Sequence, residues 1–170
     1  MKKIIKIISV LLIIFTLYYF FPNDKLPKEI KIDSIVVHKS KREMNVYSQG
    51  KLVKIYPIAL GRQPKGAKEY EGDRKTPEGL YYINDKNANS GWFKNLGISY
   101  PNSNDIKRAK ELGKPTGGDI KIHGLKNGNG FIRKFHRWFD WTLGCIAVTN
   151  EEMEELYNAV GIGCTIEIKP

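Results

Sequence analysis

The stretch DWTLGCIAVTN, residues 140–150, places Cys145 after a glycine and before a run of small apolar residues. In such a tight turn the backbone N–H groups of Gly144 and Cys145 can point at one spot, as a developing oxyanion requires. The chain has one other cysteine, Cys164. Cys145 can therefore be a nucleophile, half of a disulfide or part of the core, and the choice depends on its partners.

A thiol nucleophile needs a base, and the chain offers three histidines. His123 ends the alternating strand DIKIHG, in which the two isoleucines share one face while Lys121 and His123 share the other. A histidine at a strand end can meet a cysteine from a distant turn, so His123 is the favoured base. His38 is expected at the surface, and His136 is expected as a rim residue or a substrate contact. Spacing alone leaves the pairing of Cys145 with His123 open.

The second cysteine lies in an alternating tail, CTIEIK, where Cys164 shares a face with Ile166 and Ile168. This pattern is typical of a half-buried strand and predicts that Cys164 lies in the core. A disulfide with Cys145 is the alternative if the compartment is oxidising.

The N-terminal 22 residues predict a membrane anchor. Three lysines within the first six residues precede the apolar run IISVLLIIFTLYYFF, which nearly suffices to span a bilayer. The basic flank is expected to stay in the cytoplasm, which sends the rest of the chain to the extracytoplasmic side of the cell envelope. A cleaved signal sequence is the alternative, although bulky aromatic residues stand where small residues would mark a cleavage site.

The remaining chain is expected to form a short tether, residues 23–31, and one domain, residues 32–170. Its length suits a single core. The whole chain carries a net charge of +10. An exported basic domain meets anionic envelope polymers first, so a nucleic-acid partner is not expected.

Most of this domain predicts short strands. Alternating runs at 32–40 and 43–60 are broken at Gln49-Gly50, which indicates a hairpin, and another strand follows the turn-forming GDRKTPEG. The sequence therefore favours a mostly β fold, a sandwich or partly open barrel of short strands.

Two short helices complete the predicted fold after the N-terminal transmembrane helix. One begins at Ser103 or Asn104 as its cap and stops at Gly113. The other begins at Thr149, which forms a capping box with Glu152.

Three motifs follow one another along the chain: GDRKTPEGLYYI, then GGDIKIHG, then DWTLGCIAVTNEEMEEL. Together they resemble the L,D-transpeptidase catalytic domain of bacterial cell-wall enzymes, from about Ile32 to Lys169. The resemblance implies that Cys145 is the acyl-accepting nucleophile and His123 its base. It matches Gly144 to the glycine of the cysteine turn and Thr142 to its Ser/Thr. It also implies peptidoglycan stem peptides as the substrate, with no metal or cofactor.

Two positions depart from the commoner family signature. Leu143 stands where that signature has histidine, and Ala147 stands where it has Arg or Asn. The turn looks more like a branch that includes both transpeptidases and hydrolytic enzymes. The acyl acceptor is therefore less well defined than the acyl donor.

The resemblance implies a two-step reaction. Cys145 attacks the carbonyl of the third stem-peptide residue, and the amides of Leu143, Gly144 and Cys145 hold the oxyanion. D-Ala then departs with a proton from His123. An amine acceptor gives a 3→3 crosslink or a protein–wall linkage, whereas water gives carboxypeptidase activity.

Several further residues are expected to contact substrate. They are Gly124, His136, Trp138, Trp141 and Thr142. Trp138, Phe139 and Trp141 are predicted to form a wall that shields the thioester from water, with ordinary core packing as the alternative. Asp140 has Arg133 and Arg137 as nearby candidate partners.

Other protein classes fit less well. A papain-like peptidase places its cysteine before its histidine, the reverse of the order here. A thiol oxidoreductase needs a Cys-x-x-Cys pair, which this sequence lacks. A non-catalytic wall-binding module is the remaining alternative, and it would tolerate Cys145→Ser.

Overall fold

The computed structural model describes residues 1–22, 24–27 and 29–170, so residues 23 and 28 of the predicted tether lie outside the described part. The elements, in chain order, are α1 (Lys2–Phe20), β1 (Ile32–His38), β2 (Glu43–Ser48), β3 (Lys51–Pro57), β4 (Gly79–Ser90), β5 (Phe93–Ile98), α2 (Ser103–Glu111), β6 (Lys121–His123), a 3₁₀ segment (Gly130–Trp138), β7 (Ile146–Ala147), α3 (Asn150–Ala159) and β8 (Val160–Lys169).

The strands form one sheet in the order β3-β2-β1-β8-β4-β5-β6-β7. β1 pairs with β8 and β6 with β7 in parallel, and the other neighbours are antiparallel. The long strand β4 joins the two halves, since Gly79–Tyr82 pairs with β8 and later residues pair with β5. The result is a half-barrel with a few helices, which confirms the predicted fold class.

The core lies on the inner face of this sheet, against α3. Its fully buried side chains include Ile35, Met44, Tyr56, Ile83, Leu96, Ile122, Ile146, Met153 and Leu156. Cys164 also faces this core with Ile166 and Ile168, as the alternation in the tail predicts.

Local signals in the sequence explain the turns and helix starts. Gln49 and Gly50 both have positive φ, 51° and 72°, as a two-residue hairpin with matching twist requires. The predicted capping box of Thr149 and Glu152 begins α3. The predicted cap of α2, Ser103 or Asn104, is wrong. Asn102 forms it instead, because its side chain reaches the amide of Asp105 while that carboxylate returns to the Asn102 amide.

The first helix is separate from the core. No residue of α1 is buried, and its length and composition would allow it to cross a membrane. Its C-terminal half contacts the 3₁₀ segment. Beyond it, Leu26 and Ile30 pack against the domain, so these two residues of the predicted tether lie on the domain surface.

The loop that carries Cys145 is fixed by Asp140. The carboxylate of Asp140 accepts hydrogen bonds from the Arg42 guanidinium, at 2.7 Å for Nη2, and from the amide of Leu60 at 2.9 Å. The nearby Arg133 and Arg137 pair elsewhere, with glutamates of α3. The loop is therefore tied to the β2 side of the sheet.

Replacing Asp140 by Asn should lower the free energy of unfolding by about 2 kcal/mol, because a charged acceptor of several hydrogen bonds is lost. Urea denaturation measures this loss. The matched control is Glu167→Gln, which removes a solvent-exposed pair with Lys169 and should change stability by less than about 0.5 kcal/mol. Equal effects of the two substitutions would contradict the anchoring role of Asp140.

Candidate active site

The pairing of β6 with β7 brings the two candidate catalytic residues together. The parallel register sets His123 opposite Ala147. Residues two apart in a strand point to the same face, so Cys145, just before β7, points to the face that carries His123. Both side chains line one cleft of about 1080 Å³.

The cysteine turn is organised by Thr142. Its buried hydroxyl donates to the carbonyl of Cys145 at 2.7 Å and accepts from the amide of Gly144 at 3.1 Å. This revises the expected oxyanion group, because the Gly144 amide is already satisfied by Thr142. Within the described part of the chain, the amides of Leu143 and Cys145 have no hydrogen-bond acceptor, so these two are the candidate oxyanion donors.

The tautomer of His123 follows from its neighbour. Its Nδ1 lies 2.7 Å from the carbonyl oxygen of Gly124. A carbonyl can accept but not donate, so Nδ1 carries the proton and Nε2 of the neutral ring is left to accept one. Burial lowers the pKa of His123, although this hydrogen bond alone would raise it. The lowered pKa favours the neutral ring. Gly124 thus acts on the histidine and is not among the residues that line the cleft.

The surroundings of Cys145 favour the neutral thiol. Burial raises its pKa, a hydrogen bond from the Lys121 backbone opposes that rise, and the negative charge of Asp119 adds to it against the charges of Lys121 and Lys68. Its Sγ lies 3.7 Å from the Asp119 carbonyl oxygen. Both Cys145 and Cys164 are free thiols, so the structure does not contain the alternative disulfide.

Two tryptophans form an aromatic wall around His123. The rings of Trp92 and Trp141 stack with centroids 5.5 Å apart, and they lie 5.1 and 5.7 Å from the His123 ring. The sequence motifs predicted a role for Trp141 but gave none for Trp92. A signal was available, since Trp92 follows Ser90-Gly91 at the tip of the hairpin between β4 and β5.

Three other predicted residues do not line this cleft. His136 is buried behind Trp141 rather than at the rim, and its Nδ1 accepts from Trp141 Nε1 at 3.4 Å. Burial, with the nearby charge of Arg137, lowers the pKa of His136 to about 3. Trp138 and Phe139 are exposed outside the cleft, and Trp138 contacts α1 instead.

The cleft lining is also charged. It includes the basic residues Arg62, Lys68, Arg74 and Lys121 and the acidic residues Glu71 and Asp119. Lys68 is buried and bonds the Asp73 carboxylate at 2.8 Å. Burial by itself would raise the pKa of Asp73, but Lys68 and backbone amides hold it below its ordinary value. This buried pair shapes the loop that the GDRKTPEG motif predicted as a turn.

Gly144→Ala should disrupt the cysteine turn. Gly144 has φ +140°, and an added Cβ would lie 2.8 Å from the carbonyl oxygen of Lys75. We expect a loss of about 2 kcal/mol in the free energy of unfolding, measured by urea denaturation. Gly161→Ala is the control, since a Cβ there meets nothing within 4 Å. A Gly144→Ala variant as stable as Gly161→Ala would count against the turn geometry described here.

The resting thiol should react as a neutral group. Because the pKa of Cys145 is raised, alkylation by iodoacetamide should be slow at neutral pH and should accelerate as pH rises past the ordinary thiol range. Intact-mass spectrometry follows the single adduct. Cys145→Ala should remain unlabelled until it is unfolded, because Cys164 is buried. A labelling rate that is already maximal below neutral pH would instead indicate a thiolate–imidazolium pair.

Comparison with known proteins identifies the family to which the domain around this cleft is similar. The YkuD family, described as the L,D-transpeptidase catalytic domain, matches residues 32–168. YafK of Escherichia coli (strain K12), whose name assigns it to the L,D-transpeptidases, is 28% identical over 132 residues, which cover 74% of this chain and 46% of YafK.

Solved structures share the fold. The helical cell shape determining protein Pgp2 from Campylobacter jejuni superimposes with a TM-score of 0.61 at 25% identity, covering 89% of this chain and 52% of Pgp2. LdtMt1, an L,D-transpeptidase solved in complex with imipenem, superimposes with a TM-score of 0.53 at 15% identity, covering 81% of this chain and 59% of LdtMt1, and shares the fold. The chain spans about half the length of YafK and Pgp2.

Proposed function

Because the chain belongs to the L,D-transpeptidase catalytic domain family, we propose that it is a cysteine-dependent acyltransferase that acts on peptidoglycan stem peptides. The observation that carries the proposal is the placement of Cys145 and His123 on one face of a paired β6 and β7, within one cleft. The tautomer of His123 supports it, since the free Nε2 lone pair is what a general base needs.

The first step forms a thioester. His123 Nε2 takes the proton of the Cys145 thiol as the sulfur attacks the carbonyl carbon of the third stem-peptide residue. The amides of Leu143 and Cys145 stabilise the negative oxygen of the tetrahedral intermediate. The C–N bond to D-Ala then breaks, and His123 returns its proton to the departing amine.

The second step resolves the thioester. In transfer, an amine loses a proton to His123 and attacks the thioester carbonyl, which releases the Cys145 thiol and forms a 3→3 crosslink or a protein–wall linkage. In hydrolysis, water takes the place of the amine and a tripeptide carboxylate leaves. The two outcomes share every residue and differ in which nucleophile reaches the thioester.

One observation is compatible with the hydrolytic alternative. Trp138 and Phe139, expected as a wall over the thioester, are exposed outside the cleft, and Leu143 beside the thiol is 69% exposed. A reactive intermediate is protected from hydrolysis when the site excludes water. Without that wall, water can reach the position of the thioester. The same openness leaves room for an amine acceptor.

Basic side chains in the cleft lining can attract an anionic peptide. Arg62 and Arg74 line it, and Arg62 Nε donates to the Trp141 carbonyl at 3.2 Å, which positions the guanidinium beside the aromatic wall. A peptide with free carboxylates is attracted to such a surface, most strongly at low ionic strength.

The proposed location follows from α1. An uncleaved helix with a basic N-terminal flank would hold the domain on the extracytoplasmic side of the cytoplasmic membrane, next to its polymeric substrate. A cleaved signal sequence would release the same domain into the envelope.

The deciding experiment incubates the full chain with disaccharide tetrapeptide ending in D-Ala and follows both protein and product by mass spectrometry. Wild type should gain the mass of the acyl tripeptide, because Cys145 retains the acyl group after D-Ala leaves. A crosslinked dimer as the product indicates transfer, and tripeptide alone indicates the hydrolytic alternative.

Two variants control this experiment. Cys145→Ala should give neither adduct nor product, whereas Cys164→Ala should retain both, because Cys164 lies in the core away from the cleft. Turnover by Cys145→Ala at the wild-type rate would exclude the proposed nucleophile. A wild-type protein that binds the muropeptide without forming an adduct would indicate a wall-binding module.

A further inference from the structure

We infer that the 3₁₀ segment forms a second membrane contact, with Phe131, Trp138 and Phe139 lying in the outer surface of the bilayer beside α1. The inference rests on the proposed membrane anchoring and goes beyond it, because an anchor helix alone would leave the domain free to stand away from the lipid.

The first observation is an exposed aromatic patch. Phe131, Trp138 and Phe139 are 69%, 58% and 68% exposed, although they lie within nine residues of one another. Large apolar rings clustered on a surface are costly in water and mark a contact with another apolar phase. Tryptophan in particular favours the membrane–water interface.

The second observation is the position of this patch along α1. The Phe135 ring, between the patch residues in sequence, stacks on Phe15 with centroids 4.4 Å apart, and Trp138 lies 6.3 Å from the Tyr18 ring. At 1.5 Å per residue, Phe15 lies about 8 Å from the end of α1 at Phe20. With the lysine-rich start of α1 in the cytoplasm, the contact lies about 8 Å below the outer end of the helix, within the roughly 5–10 Å by which apolar side chains of interfacial segments enter the acyl boundary.

The third observation is that the patch is fastened to α1. The Tyr19 hydroxyl donates to the carbonyl of Phe131 at 2.9 Å, and the Lys134 ammonium donates to the carbonyl of Phe21. Leu26 packs on the domain soon after α1 ends. The domain therefore has little free chain on which to move away from the helix.

These contacts favour lipid as the occupant of the patch. A helix that crosses a bilayer is surrounded by lipid, and the patch continues the apolar surface of α1 at the level where that helix leaves the hydrocarbon. Arg133, on the same segment, places its guanidinium 5.4 Å from the Tyr19 ring, a suitable height for lipid phosphates.

The test uses the full chain in phosphatidylcholine vesicles whose lipids carry bromine near the headgroup or near the chain end, with selective excitation of tryptophan. Headgroup-proximal bromine should quench the wild-type emission more strongly. Trp138→Phe should lose most of this quenching, whereas Trp92→Phe, which changes a tryptophan of the cleft, should keep it. Replacing both Phe131 and Phe139 by Ser should reduce the quenching of Trp138. Circular dichroism and urea midpoints verify that the variants fold.

The outcomes separate this inference from the anchoring on which it rests. A chain that floats with the vesicles while Trp138→Phe retains full quenching overturns the inference and leaves the anchoring intact. A chain that does not float overturns both. A Trp138 that no brominated lipid quenches, in a chain that cross-links through the patch to a second copy, would assign the patch to protein and overturn the assignment to lipid.

Discussion

The parallel pairing of β6 with β7 is the constraint on which the cleft depends, because it sets His123 and Cys145 on one face. Two residues of β7 cannot hold this register unaided, since short strands are marginal. The segment after β3 supplies the rest: Ala59 exchanges two hydrogen bonds with Ala147, at 3.0 and 2.8 Å, and Leu60 accepts from Thr142. Hydrogen bonds to β6 on one side and to Ala59 on the other therefore hold β7 at the edge of the sheet.

Burial gives this site its resting state. It disfavours charge on both groups, lowering the pKa of His123 and raising that of Cys145, so a neutral thiol and a neutral ring are favoured in the same cleft of the free protein. In the proposed reaction, proton transfer between them accompanies attack on a carbonyl, when the turn amides stabilise the new negative charge. A neutral thiol should also resist indiscriminate alkylation.

Much of the fold could be predicted because its signals are local. Alternation identified the strand of Cys164, the Gln49-Gly50 dipeptide identified the hairpin, and the spacing of Thr149 and Glu152 identified the start of α3.

What escaped prediction depends on long-range placement. The hairpin of β4 and β5 brings Trp92 to His123 only once the strand order is known. Asp140 forms its ion pair with Arg42, 98 residues away, and not with either of two arginines that are nearby in sequence. Even inside the cysteine turn, the Gly144 amide, expected to bind the oxyanion, donates instead to the hydroxyl of Thr142.

The separation of the two thiols has a consequence for oxidative damage. Cys164 in β8 and Cys145 beside β7 are divided by β4, β5 and β6, roughly 20 Å along the sheet, beyond the span of a disulfide. An oxidant that converts Cys145 to a sulfenic acid therefore meets no resolving thiol within its own chain, and further oxidation is irreversible. Recovery of a reduced Cys145 then depends on a reductant delivered by another molecule.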